Sequence, residues 1–119
     1  MAIEEAKALD FNKPLAVVFV CSERKEDLRK QSELVKAKAE QCGYQVVEEF
    51  QALLFPKETS RERVFLDAFR YLFNNRELVQ TLFIATENIL GEDSMTSALL
   101  SLLKQYLSID VIVAIDEEF

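Results

Sequence analysis

Several residue types on which catalytic and binding sites depend are scarce in this chain of 119 residues. It has no histidine, which excludes Ser–His and Cys–His nucleophile pairs and imidazole metal ligands. Its two glycines, Gly43 and Gly91, are too few for a glycine-rich phosphate loop. Its two cysteines, Cys21 and Cys42, cannot form a disulfide framework, and reduced thiols in or near the core are favoured over a redox or metal role. We therefore expect no cofactor and no metal site.

Basic residues are also outnumbered. The chain has 14 Lys and Arg against 21 Asp and Glu, a net charge of -7 and a pI of about 4.7. Acidic charge repels the phosphate backbone of DNA. DNA binding is therefore a possible function, but the charge disfavours it. No apolar run approaches the roughly 18 residues of a membrane span, and residues 1–14 lack the pattern of a secretory signal. We expect a cytoplasmic protein without a membrane segment.

Hydrophobic residues, by contrast, make up 50% of the chain, which is enough for one core at this length. We expect residues 1–14 to be an appendage, because Pro14 blocks the continuation of any helix that precedes it. Residues 15–119 are then a single domain. The apolar run 15–20 predicts a strand buried on both faces. Further strands are predicted at 44–50, 78–85 and 110–115, and helices at 25–41, 59–74 and 93–106.

The alternation of strands and helices predicts an α/β fold, a three-layer sandwich with a four-stranded, mostly parallel sheet. Glu48 and Glu49 suggest that the second strand lies at an edge. Gly43 fits the end of the first helix. The periodicity also predicts one apolar face on each of two helices. It places these residues on them: Leu28, Val35, Ala39 and Cys42 on the first helix, and Met95, Leu99, Leu102, Leu103 and Tyr106 on the third.

In a parallel sheet the site lies at the carboxyl ends of the strands. By that rule we expect Cys21-Ser22 and the predicted loops 51–60 and 86–92 to lie close together at one edge of the sheet. Five stretches there and nearby follow one another at a notable spacing: Phe19-Val20-Cys21-Ser22, then Gln31 nine residues after the serine, Gly43-Tyr44, Glu62-Arg63, and Glu87-Asn88-Ile89-Leu90-Gly91-Glu92.

Over residues 15–117 these stretches resemble the catalytic domain of serine recombinases, the resolvase/invertase family. The family pattern has a strand ending in Tyr-x-Arg-Val-Ser, a glutamine on the first helix, an Asp-Arg pair opening the second helix, and Leu-Asp-Arg-Leu-Gly-Arg after the third strand. The resemblance implies a resolvase-like, that is flavodoxin-like, topology. In the family the serine attacks a DNA phosphodiester, and arginines clamp the phosphate and stabilise the transition state.

The resemblance places Ser22 at the nucleophile and Arg63 at the arginine of the second helix. The family's other charged positions fall at Val20 or Cys21, Asn88, Ile89 and Glu92. Three expected arginines are therefore missing, and each lost electrostatic stabiliser commonly costs about 10²–10³ in rate. Family members also continue into a long dimerisation helix and a DNA-binding module, beyond the point where this sequence stops. We expect strand cleavage to be abolished.

Six further residues are binding candidates: Gln31, Arg24, Arg61 and Asn88 towards an anion, and Leu54 and Phe55 towards a protein partner. Several of these residues, and Ser22, also have a purely structural interpretation. The arginines are also typical of an exposed helix start neutralised by glutamates, and Leu54 and Phe55 are equally typical of a core. Ser22 is also typical of a loop serine that caps the next helix. Cys21 is expected to be the last strand residue, packed inward.

The first hypothesis is a catalytically degenerate recombinase-like domain that serves as a protein-interaction or oligomerisation module, through residues 53–56 and the exposed part of the third helix. The second is a DNA-binding site-specific recombinase, or another phosphoryl-transfer domain, that uses Ser22 with Arg63. The third is a flavodoxin-like domain that binds a small anion.

Overall fold

Seven elements alternate along the chain in a computed structural model that describes residues 12–54, 61–86 and 94–114. They are β1 (Leu15–Ser22), α1 (Lys25–Gln41), β2 (Gln45–Leu53), α2 (Arg61–Asn74), β3 (Val79–Ile84), α3 (Ser94–Gln105) and β4 (Asp110–Val113). The strands pair in the order β2-β1-β3-β4, and every pairing is parallel. The predicted four-stranded α/β fold is confirmed, and β2 lies at an edge as expected.

The helices cover the two faces of the sheet unequally. Phe19 of β1 packs edge-on against Phe65 of α2, with ring centroids 5.3 Å apart. The next residue along the strand, Val18, points to the opposite face, and its register partner Glu49 contacts Ser32 and Lys36 of α1. α3 packs against α2 and β4. Of the helices that the structure describes, α1 therefore lies on one face, and α2 and α3 share the other.

β1 lies in the centre of the core because it is apolar on both faces. Leu15 to Val20 are at most 5% exposed. The strand then continues through Cys21 and Ser22, which pair with Ala52 and Leu53 of β2. Both strands thus run further than the sequence predicted. The expectation of a loop over 51–60 is wrong for its first three residues, because the ladder with β1 continues through Leu53 and buries Ala52 completely.

α1 begins with acidic side chains, Glu26 and Asp27, and has Lys38 in its last turn, which suits the helix dipole. Gly43 follows its end with φ of +90°, a conformation that side chains disfavour, so the predicted glycine stop is confirmed. The prediction that Cys42 belongs to the apolar face of the helix is wrong. The helix has already ended there, and its thiol is exposed.

α3 also departs from its predicted face. Leu103 is fully buried, but Met95, Leu102 and Tyr106 are 43%, 38% and 78% exposed. The apolar arc is wider than the core it packs on, so one part of it points to solvent. Phe55 and the predicted helix cap at Thr59 lie outside the described residues. Within the described ranges, no helix has the length and apolar character needed to cross a membrane.

Candidate functional site

Ser22 is the last residue of β1, at the carboxyl end of the sheet. Its carbonyl oxygen accepts a hydrogen bond of 2.9 Å from the backbone N–H of Leu54. Its half-buried hydroxyl oxygen lies 3.4 Å from the backbone nitrogen of Arg24, the residue that precedes α1 and itself makes no side-chain cap. The hydroxyl therefore supports the turn into α1, much as the capping alternative predicted, although Ser22 belongs to the strand.

Gln31 reaches from α1 to the same strand end. Its side-chain oxygen accepts a 2.8 Å hydrogen bond from the backbone N–H of Cys21. The last residue of β1 that pairs with β3 is Phe19, two residues before Cys21. Gln31 therefore accepts a backbone N–H of β1 beyond the end of the β1–β3 pairing. The nine-residue spacing between Ser22 and Gln31 thus has a structural consequence. It places a glutamine of α1 where its side chain accepts a backbone N–H at the end of β1.

Cys21 points into the core with 6% exposure, as predicted. Arg61, the first residue of α2, lies near enough for its charge to act on the thiol. Burial raises the pKa of the Cys21 thiol, and the charge of Arg61 lowers it less than burial raises it. The thiol therefore stays protonated at neutral pH, and a protonated thiol is a weak nucleophile.

Arg61 has one further property. Its Nε atom is buried and has no hydrogen-bond partner among the described residues. An arginine donates five N–H groups in a fixed plane, a shape that matches carboxylate and phosphate oxygens. We refer to Ser22, Cys21, Gln31 and Arg61 together as the β1 site.

Two predicted cations lie away from the β1 site. Arg63 follows Arg61 by two residues, which places it on the opposite side of α2. It is exposed and already takes part in an interaction of its own. Arg24 is also exposed. The structure thus brings Arg61, and not Arg63, against the end of β1.

Of the residues predicted to contact a partner protein, Leu54 is half-buried and packs against the core, as does Leu53. Phe55 lies outside the described residues, and so does Asn88 of the loop after β3. For the part of the chain that is described, no group of three or more acidic or cysteine side chains is placed to hold a metal ion.

One cavity was not foreseen from the sequence. It has a volume of about 570 Å³ and lies between α1 and the edge strand β2, where Lys25, Arg29, Ser32 and Gln51 contribute to its walls. Beside it, buried Ser32 donates to the Glu49 carboxylate, which also pairs with Lys36 at 3.1 Å. Glu26 and Glu33 in the same walls offset its basic side chains, so the cavity has no dominant charge. No motif marks it in the sequence.

The sequence matches no known family model and no curated protein. Among solved structures, it is similar to the C-terminal catalytic domain of ISC1926 TnpA, an IS607-like serine recombinase. The TM-score is 0.68 at 22% identity, over 88% of this chain and 70% of the other. This likeness concerns the fold: the chain has the fold of a serine recombinase catalytic domain.

Proposed function

We propose that this chain is a catalytically degenerate serine-recombinase-like domain that works as a protein-interaction or oligomerisation module. The observation that carries the proposal lies just before Ser22. The family's arginine falls at Val20 or Cys21, and these are 0% and 6% exposed. An apolar side chain and a protonated thiol cannot stabilise the charge that develops on a phosphodiester.

The other positions support the same conclusion. By the resemblance, two further arginines are replaced by Ile89 and Glu92, and the latter reverses the charge. Each such loss costs about 10²–10³ in rate, and a serine hydroxyl without a neighbouring base is a poor nucleophile. The net charge of -7 adds a general repulsion towards DNA.

The interaction role is supported by exposed apolar residues on α3. Met95, Leu102 and Tyr106 are large and accessible, and half-buried Leu99 lies between the first two. We call these four residues the α3 stripe. Leu53 and Leu54 pack against the core, so α3 offers the better supported surface.

The test is covalent trapping on DNA. The protein is incubated with supercoiled plasmid, stopped with denaturant, and examined for protein-linked and nicked DNA. Because other residues stand at three positions where the resemblance expects arginines, we expect neither product, and we expect the Ser22→Ala variant to be indistinguishable from the unaltered protein.

A protein–DNA link that disappears in Ser22→Ala would contradict the proposal and restore the recombinase hypothesis. Fluorescence anisotropy with duplex DNA at low and at physiological salt accompanies this test. Binding that falls steeply with salt would show that a DNA-facing surface survives.

A second candidate function is the binding of a small anion, and the buried Arg61 Nε favours it. Phosphate bound at Arg61 would raise the melting temperature, because a ligand that binds the folded state alone stabilises it. Arg61→Gln should then remove the shift, whereas Arg63→Gln, on the opposite side of α2, should retain it. No shift beyond that given by sodium chloride at equal ionic strength would contradict this candidate.

A further inference from the structure

β2 lies at the edge of the sheet, where its outer backbone groups face away from β1. It has nine residues, and among the described strands it pairs with β1 alone. Successive backbone N–H groups of a strand point to opposite sides, and the N–H of Leu54 points to β1, where it bonds Ser22. The backbone groups of Gln51 and Glu49 therefore point outward. The Glu49 N–H is bonded there by the side chain of its own neighbour, Glu48, at 3.1 Å. An edge strand of this length is a template for a further strand.

The cavity between α1 and β2 opens at this same edge. Of the described residues in its walls, Gln51 is the one from the sheet, and the others belong to α1. Glu49, on the same face of β2, accepts a hydrogen bond from Ser32 and pairs with Lys36. The side of α1 that carries Ser32 and Lys36 therefore faces the edge of β2.

The charges in the cavity walls offset one another in total, but they are not evenly placed. At about 100° per residue, the α1 residues of the walls follow one another round the helix, from its buried side outward, in the order Leu28, Ser32, Lys25, Lys36, Arg29, Glu33 and Glu26. The three cations thus lie nearer the sheet than the glutamates, and we call them the α1 cations. Lys36 pairs with Glu49, whereas Lys25 and Arg29 have no ion pair among the described residues.

The opposite face of the β2 edge is aromatic. Phe50, between Glu49 and Gln51, packs against Tyr71 of α2 with ring centroids 5.8 Å apart, and both side chains are half-buried. The side chains of a strand added to this edge would alternate between the two faces of the sheet. Every second side chain would then lie near the α1 cations, and the ones between them would lie near Phe50 and Tyr71.

We infer that the edge of β2 binds an extended acidic segment of another protein, as an added strand in which acidic and apolar residues alternate. Main-chain hydrogen bonds with Glu49 and Gln51 hold the segment, and the two faces of the edge select its side chains. The inference rests on the proposed interaction role, and it names a partner and a surface other than the α3 stripe. Over most of its surface a chain of net charge -7 repels such a segment, so the α1 cations determine where it binds.

Fluorescence anisotropy measures this binding with a labelled nine-residue peptide, the length of β2, in which glutamate alternates with valine. We expect binding that weakens when sodium chloride rises from about 0.02 M to about 0.3 M, and none with the peptide that has lysine in place of glutamate. Lys25→Gln combined with Arg29→Gln should raise the Kd roughly fivefold, because two charge contacts are lost. The matched control is Lys30→Gln combined with Lys38→Gln, which removes the same charge from exposed positions of α1 outside the cavity.

Strand addition has its own test in the backbone of the peptide. Two versions of the acidic peptide carry N-methyl groups on alternate amides, one on the odd positions and one on the even positions. In an added strand one set of amides faces β2 and the other faces solvent. One version should therefore lose at least roughly tenfold in affinity, and the other should bind nearly as well as the unmethylated peptide.

No binding of the acidic peptide up to about 1 mM overturns the inference. So does binding that the double variant of Lys25 and Arg29 leaves unchanged while circular dichroism shows that variant folded, or equal binding of the two methylated peptides. These results are distinguishable from failure of the proposed function. A chain that binds no peptide and forms no link to DNA loses the β2 surface and keeps the degenerate domain, whereas a chain that binds the peptide and links to DNA through Ser22 does the reverse.

Discussion

The β1 site and the α3 stripe differ in the kind of residues they have and in how those residues are used. The β1 site contains a hydroxyl, a thiol, an amide and a guanidinium, all of them groups capable of chemistry. Yet the Gln31 oxygen accepts the Cys21 N–H, the thiol is buried, and Arg61 lies near it. Most of the polar groups of the β1 site are thus engaged in holding the strand end and its helices together.

The α3 stripe has the opposite character. Apart from the Tyr106 hydroxyl and the Met95 thioether it has no polar atoms on its side chains, and three of its four residues are well exposed. Apolar surface left in water is costly, and a contiguous patch of it commonly marks an interaction site. Under the proposed function, the β1 site holds the fold together and the α3 stripe provides the contact surface.

The largest expected effect comes from placing an arginine just before the β1 site, at one of the two positions where the resemblance expects the family's arginine. Val20→Arg would place a guanidinium at a position that is 0% exposed, and an unpaired buried charge costs about 3–5 kcal/mol. We expect a large fall in the free energy of unfolding in urea and no gain of DNA cleavage. A Val20→Arg protein that is as stable as the unaltered chain and that cleaves DNA would contradict both the burial argument and the proposed function.

The next largest effect on the unfolding free energy is expected from a comparison of two neighbouring leucines of α3. Leu103 is fully buried and Leu102 is 38% exposed. Leu103→Ala should cost about 2–5 kcal/mol of unfolding free energy. Leu102→Ala should cost the monomer well under half of that and should act mainly on association. Urea unfolding at a concentration where the chain is monomeric separates the two, and equal losses would mean that the α3 stripe is part of the core.

Gln31→Ala should have a smaller effect on the β1 site. The substitution leaves the backbone N–H of Cys21 without its present acceptor, and an unsatisfied group of this kind costs about 1–3 kcal/mol. Gln41→Ala, at the exposed end of the same helix, is the matched control and should change little. If the two variants lose equal stability, the link between α1 and the end of β1 contributes nothing specific.

The sequence was sufficient to predict the strands and helices because their signals are local. The unbroken apolar run of β1 can be satisfied only by burial on both faces, and Gly43 marks the end of α1 through its own backbone preference. The end of β2 could not be predicted in this way. Gln51 to Leu53 are held in the strand by pairing with β1, a partner about thirty residues away along the chain.

The candidate site was harder to predict for a related reason. The spacing between Ser22 and Gln31 marks both as site residues, and the structure places both at one strand end. Which arginine of α2 faces that end depends on the rotation of the helix, so Arg61 and Arg63 could not be told apart. The sequence predicts one apolar face on α3 that includes both Leu103 and the α3 stripe, because apolar periodicity does not tell residues that pack on the sheet from residues that point to solvent.

The smallest effect we expect is a loss of stability at alkaline pH. It tests whether the Cys21 thiol is shielded from solvent in the folded chain. Burial raises the pKa of the Cys21 thiol above its ordinary 9.0, and burial, with a smaller contribution from the Glu48 carboxylate, raises the pKa of Tyr71 from 10.0 to about 12. Both groups lose their protons at lower pH in the unfolded chain than in the folded one. Their contribution is therefore complete below pH 9 and is lost as pH rises towards 12.

Tyr71→Phe should remove the part of this loss above pH 10, and near neutral pH it should cost little, because the Tyr71 hydroxyl has no hydrogen-bond partner among the described residues. Adding Cys21→Ala should then remove the part that begins near pH 9. Urea midpoints measured across this range give the slope for each variant. A Cys21→Ala protein with an unchanged slope would mean that the thiol ionises as easily in the folded chain as in the unfolded one, and the β1 site would then be open to the solvent and to a substrate after all.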